Sequence, residues 1–575
     1  VRGEWVATAP IKLKSLSIRA PRIPCHAPPQ SRKLTPRRLN GGKPALRTEA
    51  VGPDLVGRRH ILKISATDVQ ERATTCGMGG ALKVRPDVVS PEWRRRRDDS
   101  HPFLGGVIRE IACALHSDPR VETWEGTQAA IQEKLAAVPL HPATRRYVEH
   151  AITNYLEAHE VLSAETPGLE FRCFDPKVFP EPNGTLTAWA PLYESPDGIR
   201  EIRKIRLGSI RERPTNPDRW TVVAAHVAGL FPPQKAISRI RVVEIGLSDA
   251  SCQVLFEATP EVVRSTFTSN ALPHLLKIVD ADTTYPGTFC KDCKIAGCCG
   301  ALDRWDGFLG QATPGAATRS VSARDVEVYE TCPTQWFLTH SQFLPRKSIS
   351  GAASHRGRLV HEWIASAHSR NKKCSIEETG EFHNPNTFTG AMSEEEYAEI
   401  EPFLAQHVQT CPVNPGSQII SIEAPLYGYD APADAVIAST PDLVFVDADG
   451  SLVIRETKTT SRDIPEDSAE AFDQFFASAW LLNLFASGYR GPYQSTSARL
   501  ELEVISAGDS KVFTWDLNDA GVLRMAKKEV RQRAKAWHRD TTWEANPGKH
   551  CAWCPVKRWC PEADSEDANE ADALE

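Results

Sequence analysis

Val453-Ile454-Arg455-Glu456-Thr457-Lys458 is the stretch from which the rest of this chain is read. Residues 452–459 have β-strand composition and follow Asp449-Gly450, a strong two-residue hairpin turn. Side chains two apart on a strand project from the same face, so Glu456 and Lys458 present a carboxylate and an ammonium together. Asp442 lies across the same hairpin and can meet Glu456, offering a divalent cation two carboxylates; Mg²⁺ favours such oxygen ligands and keeps water in its other positions. A lone Glu-x-Lys is most often a surface ion pair, so the neighbouring pattern has to decide.

Working outward, residues 322–341 read as a helix entered through Ser322. Gly357–Arg370 reads as a second helix, with Leu359, Val360, Trp363 and Ile364 on one side. Strand-like composition covers 418–427, 434–446 and 452–459, an apolar helix 467–487, and a further strand 498–506. The plan is mixed α/β, a small mixed sheet flanked by helices.

These residues carry a family resemblance: His361 in Gly-Arg-Leu-Val-His, Asp442 in Pro-Asp-Leu-Val, Glu456 and Lys458 in Glu-Thr-Lys, then Gln474 on the next helix. The order resembles the PD-(D/E)XK nuclease superfamily, in particular its RecB-like branch, which includes the AddB nuclease and the iron-sulfur nucleases of CRISPR adaptation. The resemblance covers residues 320–561. It implies Mg²⁺ or Mn²⁺ held by His361, Asp442, Glu456 and the carbonyl of Thr457, with Lys458 positioning the attacking water and Gln474 close to DNA. A metal would deprotonate the water, and metal and Lys458 together would counter charge growing on the phosphate. The departures are Glu456 where Asp is usual, Ser439 where Gly often precedes the second motif, and Ser478 where an aromatic residue is expected.

Cys551-x2-Cys554, followed by Cys560, supplies three thiolates in one short loop, a spacing that wraps a metal centre. In the resembling iron-sulfur nucleases the fourth cysteine sits far upstream, ahead of the motif-one histidine and often before Pro, where this chain has Cys332-Pro333. The resemblance thus implies a [4Fe-4S] cluster on Cys332, Cys551, Cys554 and Cys560; a structural Zn²⁺ on the same thiolates is the alternative.

The body of the chain also matches itself. Ser65-Ala-Thr-Asp-Val mirrors Ser322-Ala-Arg-Asp-Val, and Arg109-Glu110 to His116-Ser117 mirrors His361-Glu362 to His368-Ser369. Asp197-Gly198 mirrors Asp449-Gly450, and Asp282-Thr-Thr-Tyr to Cys290 mirrors Asp540-Thr-Thr-Trp to Cys551. We expect two tandem restriction-endonuclease-like domains. The first, 61–310, offers a second cluster site on Cys76, Cys290, Cys293 and Cys299. The second, 311–561, is the active one. The repeats set Arg109, Ala190, Lys204 and Arg206 opposite His361, Asp442, Glu456 and Lys458, so every proposed metal ligand is missing from the first copy, whose cations would suit a phosphate backbone instead.

Composition bounds the remainder. At 575 residues and 41% hydrophobic the chain suits a soluble multidomain protein, with no apolar run long enough for a membrane span and a cytoplasmic location as the default. Residues 1–60 carry 13 Lys and Arg against 3 Asp and Glu and read as a disordered basic tail. Residues 562–575 form an acidic tail. The sequence thus predicts a metal-dependent DNA nuclease, an exonuclease or single-strand nuclease in repair, recombination or defence. No P-loop is present, so the helicase partner that the resemblance implies must be another chain. The rival reading is a non-catalytic DNA-binding or scaffold protein stapled by iron-sulfur or zinc sites.

Overall fold

The computed structural model describes residues 62–70, 76–86, 102–116, 118–181, 184–212, 216–279, 281–293, 295–310, 318–347, 351–375, 393–489, 491 and 497–564. The basic tail, and the acidic tail beyond Asp564, lie outside the described residues. The chain divides into two compact units: 1–286 with 293–301 and 342–345, and 287–292 with 302–341 and 346–575.

The first unit is built on a five-stranded sheet, β1 (Glu170–Cys173), β2 (Leu192–Glu194), β3 (Ile199–Arg206), β4 (Arg239–Gly246) and β5 (Cys252–Ala258), in that spatial order. Three of its pairings are antiparallel and β3 with β4 is parallel. A parallel pair needs a crossover, supplied by the helix Arg219–Leu230, which buries nine consecutive residues from Trp220 to Ala228. Helices α1 (Leu104–Leu115) and α2 (Pro142–Glu165) belong to this unit.

The second unit has a sheet of the same order and directions: β6 (Gln418–Ile422), β7 (Leu443–Val446), β8 (Leu452–Thr459), β9 (Ala498–Ile505) and β10 (Ser510–Asp516). Its flanking helices are α3 (Ala352–His368), α4 (Glu394–Thr410), α5 (Phe476–Ala486) and α6 (Ala520–Arg539). Pairing registers coincide as well: Leu192 faces Ile202 in the first sheet and Val444 faces Ile454 in the second, both shifted by the same interval. The matching Ser-x-x-Asp stretches are both capping boxes, Ser65 with Asp68 and Ser322 with Asp325, each starting a helix.

Several expected elements are interrupted, each for a local reason. The expected strand 418–427 breaks at Glu423, whose φ of 44° is left-handed. The strand 434–446 splits into Ala435–Ser439 and Leu443–Val446 around Pro441, which has no N–H for the ladder. The helix 467–487 breaks at the extended Phe475. The helix 322–341 stops at Cys332, held extended ahead of Pro333. Helix α4 was not expected because Pro402 lies inside it and reads as a breaker. Helix α6 and strand β10 also fall outside the expected plan.

A second small sheet pairs Leu426–Asp430 with Ala435–Ser439 and with Asp303–Arg304. The Asp430 carboxylate accepts from the backbone N–H groups of Gly307 and Leu309, fastening residues 302–310 into the second unit. Its opening and closing segments are joined directly: Arg319 donates to the carbonyls of Trp537 and Asp540, and Thr334 to that of Trp543. Among the described residues no helix is long and apolar enough to cross a membrane.

Candidate active site

Strand β8 is buried on both faces, so its polar residues are retained for their contacts. Glu456 and Lys458 project together as the alternation requires, with Lys458 Nζ 2.6 Å from Glu456 Oε1. The Asp449-Gly450 hairpin returns Asp442, immediately ahead of β7, to the same place, where one carboxylate oxygen accepts from the Thr457 N–H at 2.6 Å. Helix α3 brings His361, whose Nδ1 lies 3.3 Å from the other Asp442 oxygen. The four predicted side chains thus form one connected group.

A fifth member was not foreseen. Glu423, at the left-handed break after β6, shares with His361 and Asp442 a set of ligand atoms all within 4.8 Å of one another. The kink is what aims this carboxylate at the site, and its N–H is bonded to the Asp442 carbonyl. Backbone strain of this kind persists where the surroundings fix it, commonly at functional sites.

The electrostatics follow from packing three carboxylates in a partly buried cluster. Burial, then the Asp442 charge, pushes Glu456 up to about 7 despite Lys458. Burial and the Asp442 charge also raise Glu423. Burial works against the charged forms of Asp442, His361 and Lys458, but their mutual attraction overcomes it: Asp442 is held below its usual range, and His361 and Lys458 above theirs. Such a site favours a cation that would allow every carboxylate to ionise. The donor atoms that come together, one imidazole and two carboxylates, with Glu456 and the Lys458 ammonium beside them, fit a hard divalent ion.

Gln474 stands apart from this group. It ends the helix Ser468–Gln474 and lines an open cleft with Arg356, Thr459, Ser461 and Arg462, beyond the end of β8.

Cys332, Cys551, Cys554 and Cys560 are buried and line one cavity between the first and last segments of the unit. Burial first, and then the charges of the other three thiols, push the Cys554 thiol up to about 12. Mutually repelling thiolates of this kind need a cationic centre to ionise, and four of them around one cavity suit a metal cluster. In the first unit, Cys76, Cys293 and Cys299 pack about Met78, Leu82 and Ile295. Cys290 is buried in the segment that belongs to the second unit.

At the first unit's corresponding positions the chemistry is cationic. Arg109 on α1 is buried 3.6 Å from Asp175, Ala190 is buried, and Lys204 lies 3.3 Å from Asp218 and over the Trp220 ring.

A second group also escaped the sequence reading: His368, Cys374, His407 and Cys411, all buried, with ligand atoms within 4.8 Å of one another.

No curated protein matches the chain significantly. Among solved structures, one described as "Crystal structure of SSO0001" is 12% identical, covers 43% of this chain and 87% of its own, and has a TM-score of 0.21. Residues 320–561 match the profile of the PD-(D/E)XK nuclease superfamily, a group of hydrolases that use divalent metals. The matched span contains the whole His361, Glu423, Asp442, Glu456 and Lys458 group, and residues 320–561 form a PD-(D/E)XK nuclease superfamily domain.

Proposed function

We propose that the protein is a Mg²⁺- or Mn²⁺-dependent deoxyribonuclease that hydrolyses phosphodiester bonds, as an exonuclease or single-strand nuclease in repair, recombination or defence. The observation that carries this reading is the convergence of His361, Asp442, Glu456 and Lys458 from α3 and from both sides of the β7–β8 hairpin. His361, Glu423, Asp442 and Glu456 would hold the cation, together with the Thr457 carbonyl. The bound cation supplies an acidified water and neutralises charge on the phosphate. Lys458, kept cationic by Glu456 and Asp442, orients the water and faces the charge that develops in the transition state. Gln474, Arg356 and Arg462 line the cleft that would receive the DNA strand.

Cys332, Cys551, Cys554 and Cys560 would hold a [4Fe-4S] cluster that ties the two ends of the nuclease domain. The first unit acts as an inactive copy whose Arg and Lys residues hold DNA or brace the active domain. The identical strand order and matching registers of the two sheets support a duplication. A helicase on another chain would be a natural partner.

The test is cleavage of labelled single- and double-stranded DNA with Mg²⁺ or Mn²⁺ by the full chain, Glu456→Ala and Lys458→Ala. Both substitutions should lower the rate at least about a hundredfold, the scale on which one positioned charge acts in a transition state. Equal cleavage by all three proteins would refute the assignment.

A further inference from the structure

We propose that His368, Cys374, His407 and Cys411 form a four-coordinate Zn²⁺ site, separate from both the nuclease centre and the Cys332 cavity. The inference does not depend on the nuclease reading.

The geometry is that of a closed structural site. Cys374 Sγ lies 3.6 Å from His407 Nε2, and Cys411 Sγ lies 3.8 Å from His368 Nε2. Tetrahedral bonds of about 2.0–2.1 Å to nitrogen and 2.3 Å to sulfur put neighbouring ligand atoms roughly 3.3–3.8 Å apart, so these contacts are close to the required separation. All four residues are buried, which fits a site with no position left for water.

The surroundings point to a cation independently. His407 turns Nε2 to the centre while its Nδ1 lies 2.9 and 3.1 Å from the two oxygens of Glu503, a fully buried carboxylate. That is the carboxylate–histidine–metal arrangement, which fixes the tautomer and raises ligand basicity. The Cys374 N–H points at Cys411 Sγ at 3.3 Å, stabilising a thiolate. Two thiolates and two neutral imidazoles are a common zinc donor set.

The first unit supplies an internal contrast. The shift that carries Arg109 onto His361 carries His116 onto His368, and the shift between β1 and β6 carries His159 onto His407 and Ser163 onto Cys411. The two histidines persist there with ring centroids 4.4 Å apart. Ser163 replaces the thiol, and Arg203 donates to His159 at 2.6 Å. The β4–β9 correspondence puts Ile245 where the second unit has Glu503. Thiol and supporting carboxylate are absent together, and Arg203 takes His159 Nδ1, the nitrogen that corresponds to the one held by Glu503 in the second unit.

The site would brace the nuclease centre. His361 and His368 lie two turns apart on α3. Glu503, besides holding His407, accepts from the hydroxyls of Thr410 and Thr457, and Thr457 lies between Glu456 and Lys458. A zinc ion would therefore pin α3 and α4 to the strands that carry the catalytic residues.

The experiment is zinc analysis and zinc-edge X-ray absorption on the full chain carrying Cys551→Ser, Cys554→Ser, Cys293→Ser and Cys299→Ser, which removes both competing thiol sets. One zinc per chain with two sulfur and two nitrogen neighbours is expected. Absence of zinc after growth in zinc-supplemented medium, or an all-sulfur shell, would overturn the proposal. Adding Cys374→Ser and Cys411→Ser should remove that zinc; retention of a full equivalent would also overturn it. Should that variant fail to fold, Glu503→Gln decides: it should weaken zinc retention against a chelator about 10- to 100-fold, and unchanged retention counts against the site.

Discussion

Raising the pH from 6 to 8 should tighten Mn²⁺ binding at the nuclease centre at least about tenfold, with release of protons. Burial and Asp442 push Glu456 up to about 7 from an ordinary 4.5, so at pH 6 only about a tenth of it is ionised and ready to bind. His361 is also raised above its ordinary 6.5, and loss of its proton on metal binding acts in the same direction. The metal-free protein should show the opposite trend. Between 4.5 and about 7 the folded chain keeps a proton on Glu456 that the unfolded chain has released, so stability falls as pH rises through that window. The stabilising proton on His361 is likewise lost as pH rises through its folded value. The Glu456 contribution has an upper bound on the order of 3 kcal/mol, since Lys458 and Asp442 titrate with it. Asp442, held low by His361, Lys458 and the Thr457 N–H against its burial, acts at the acid end, where its contribution is lost as pH falls. Calorimetry in buffers of different ionisation enthalpy counts the protons released, and thermal melts with and without Mn²⁺ follow stability. Equal affinity at pH 6 and pH 8, with no proton released, would refute this account of the site.

Two further outcomes test the frame around the centre. Gly428→Ala should destabilise the second unit by at least about 2–3 kcal/mol, because the new methyl group would lie 2.1–2.6 Å from the buried indole of Trp305; denaturant unfolding measures it. Cys332→Ser should lower the iron content of anaerobically purified protein and its melting temperature, since the lost ligand joins the first segment to the last; unchanged iron would remove Cys332 from the cluster.

The sequence made legible what depends on short-range periodicity. Alternation along β8, the Asp449-Gly450 turn and the Cys551–Cys560 spacing each express their geometry within a few residues, and the structure has Lys458 beside Glu456, the hairpin, and Cys551, Cys554 and Cys560 on one cavity; Cys332, far upstream, was implied by the family resemblance alone. Glu423 was not legible because its role depends on one residue in a left-handed conformation, within a stretch that reads as continuous strand. The His368, Cys374, His407 and Cys411 group was hidden for a different reason. Its cysteines lie 37 positions apart and share no short metal-binding spacing, and Pro402 obscures the helix that carries His407 and is capped by Cys411.

The two sheets also separate what a fold needs from what a site needs. Strand order, direction and register are the same in both units, so neither the carboxylates nor the thiols are required to specify that sheet. What replaces them is not random. Arg109 stands where His361 does and pairs with Asp175, the counterpart of Glu423 by the β1–β6 correspondence. Arg203 donates to His159 Nδ1, the nitrogen corresponding to the one that His407 turns to Glu503, and its own counterpart Arg455 lies 3.7 Å from Glu503. Only at the first of these places does a guanidinium stand beside a carboxylate where the second unit has an imidazole. A buried carboxylate without a counter-charge carries an uncompensated desolvation cost, and an arginine beside it can offset that cost by charge without any ion. The Arg109–Asp175 pair is therefore what the first unit has at the place where the second unit brings His361, Glu423 and Asp442 together.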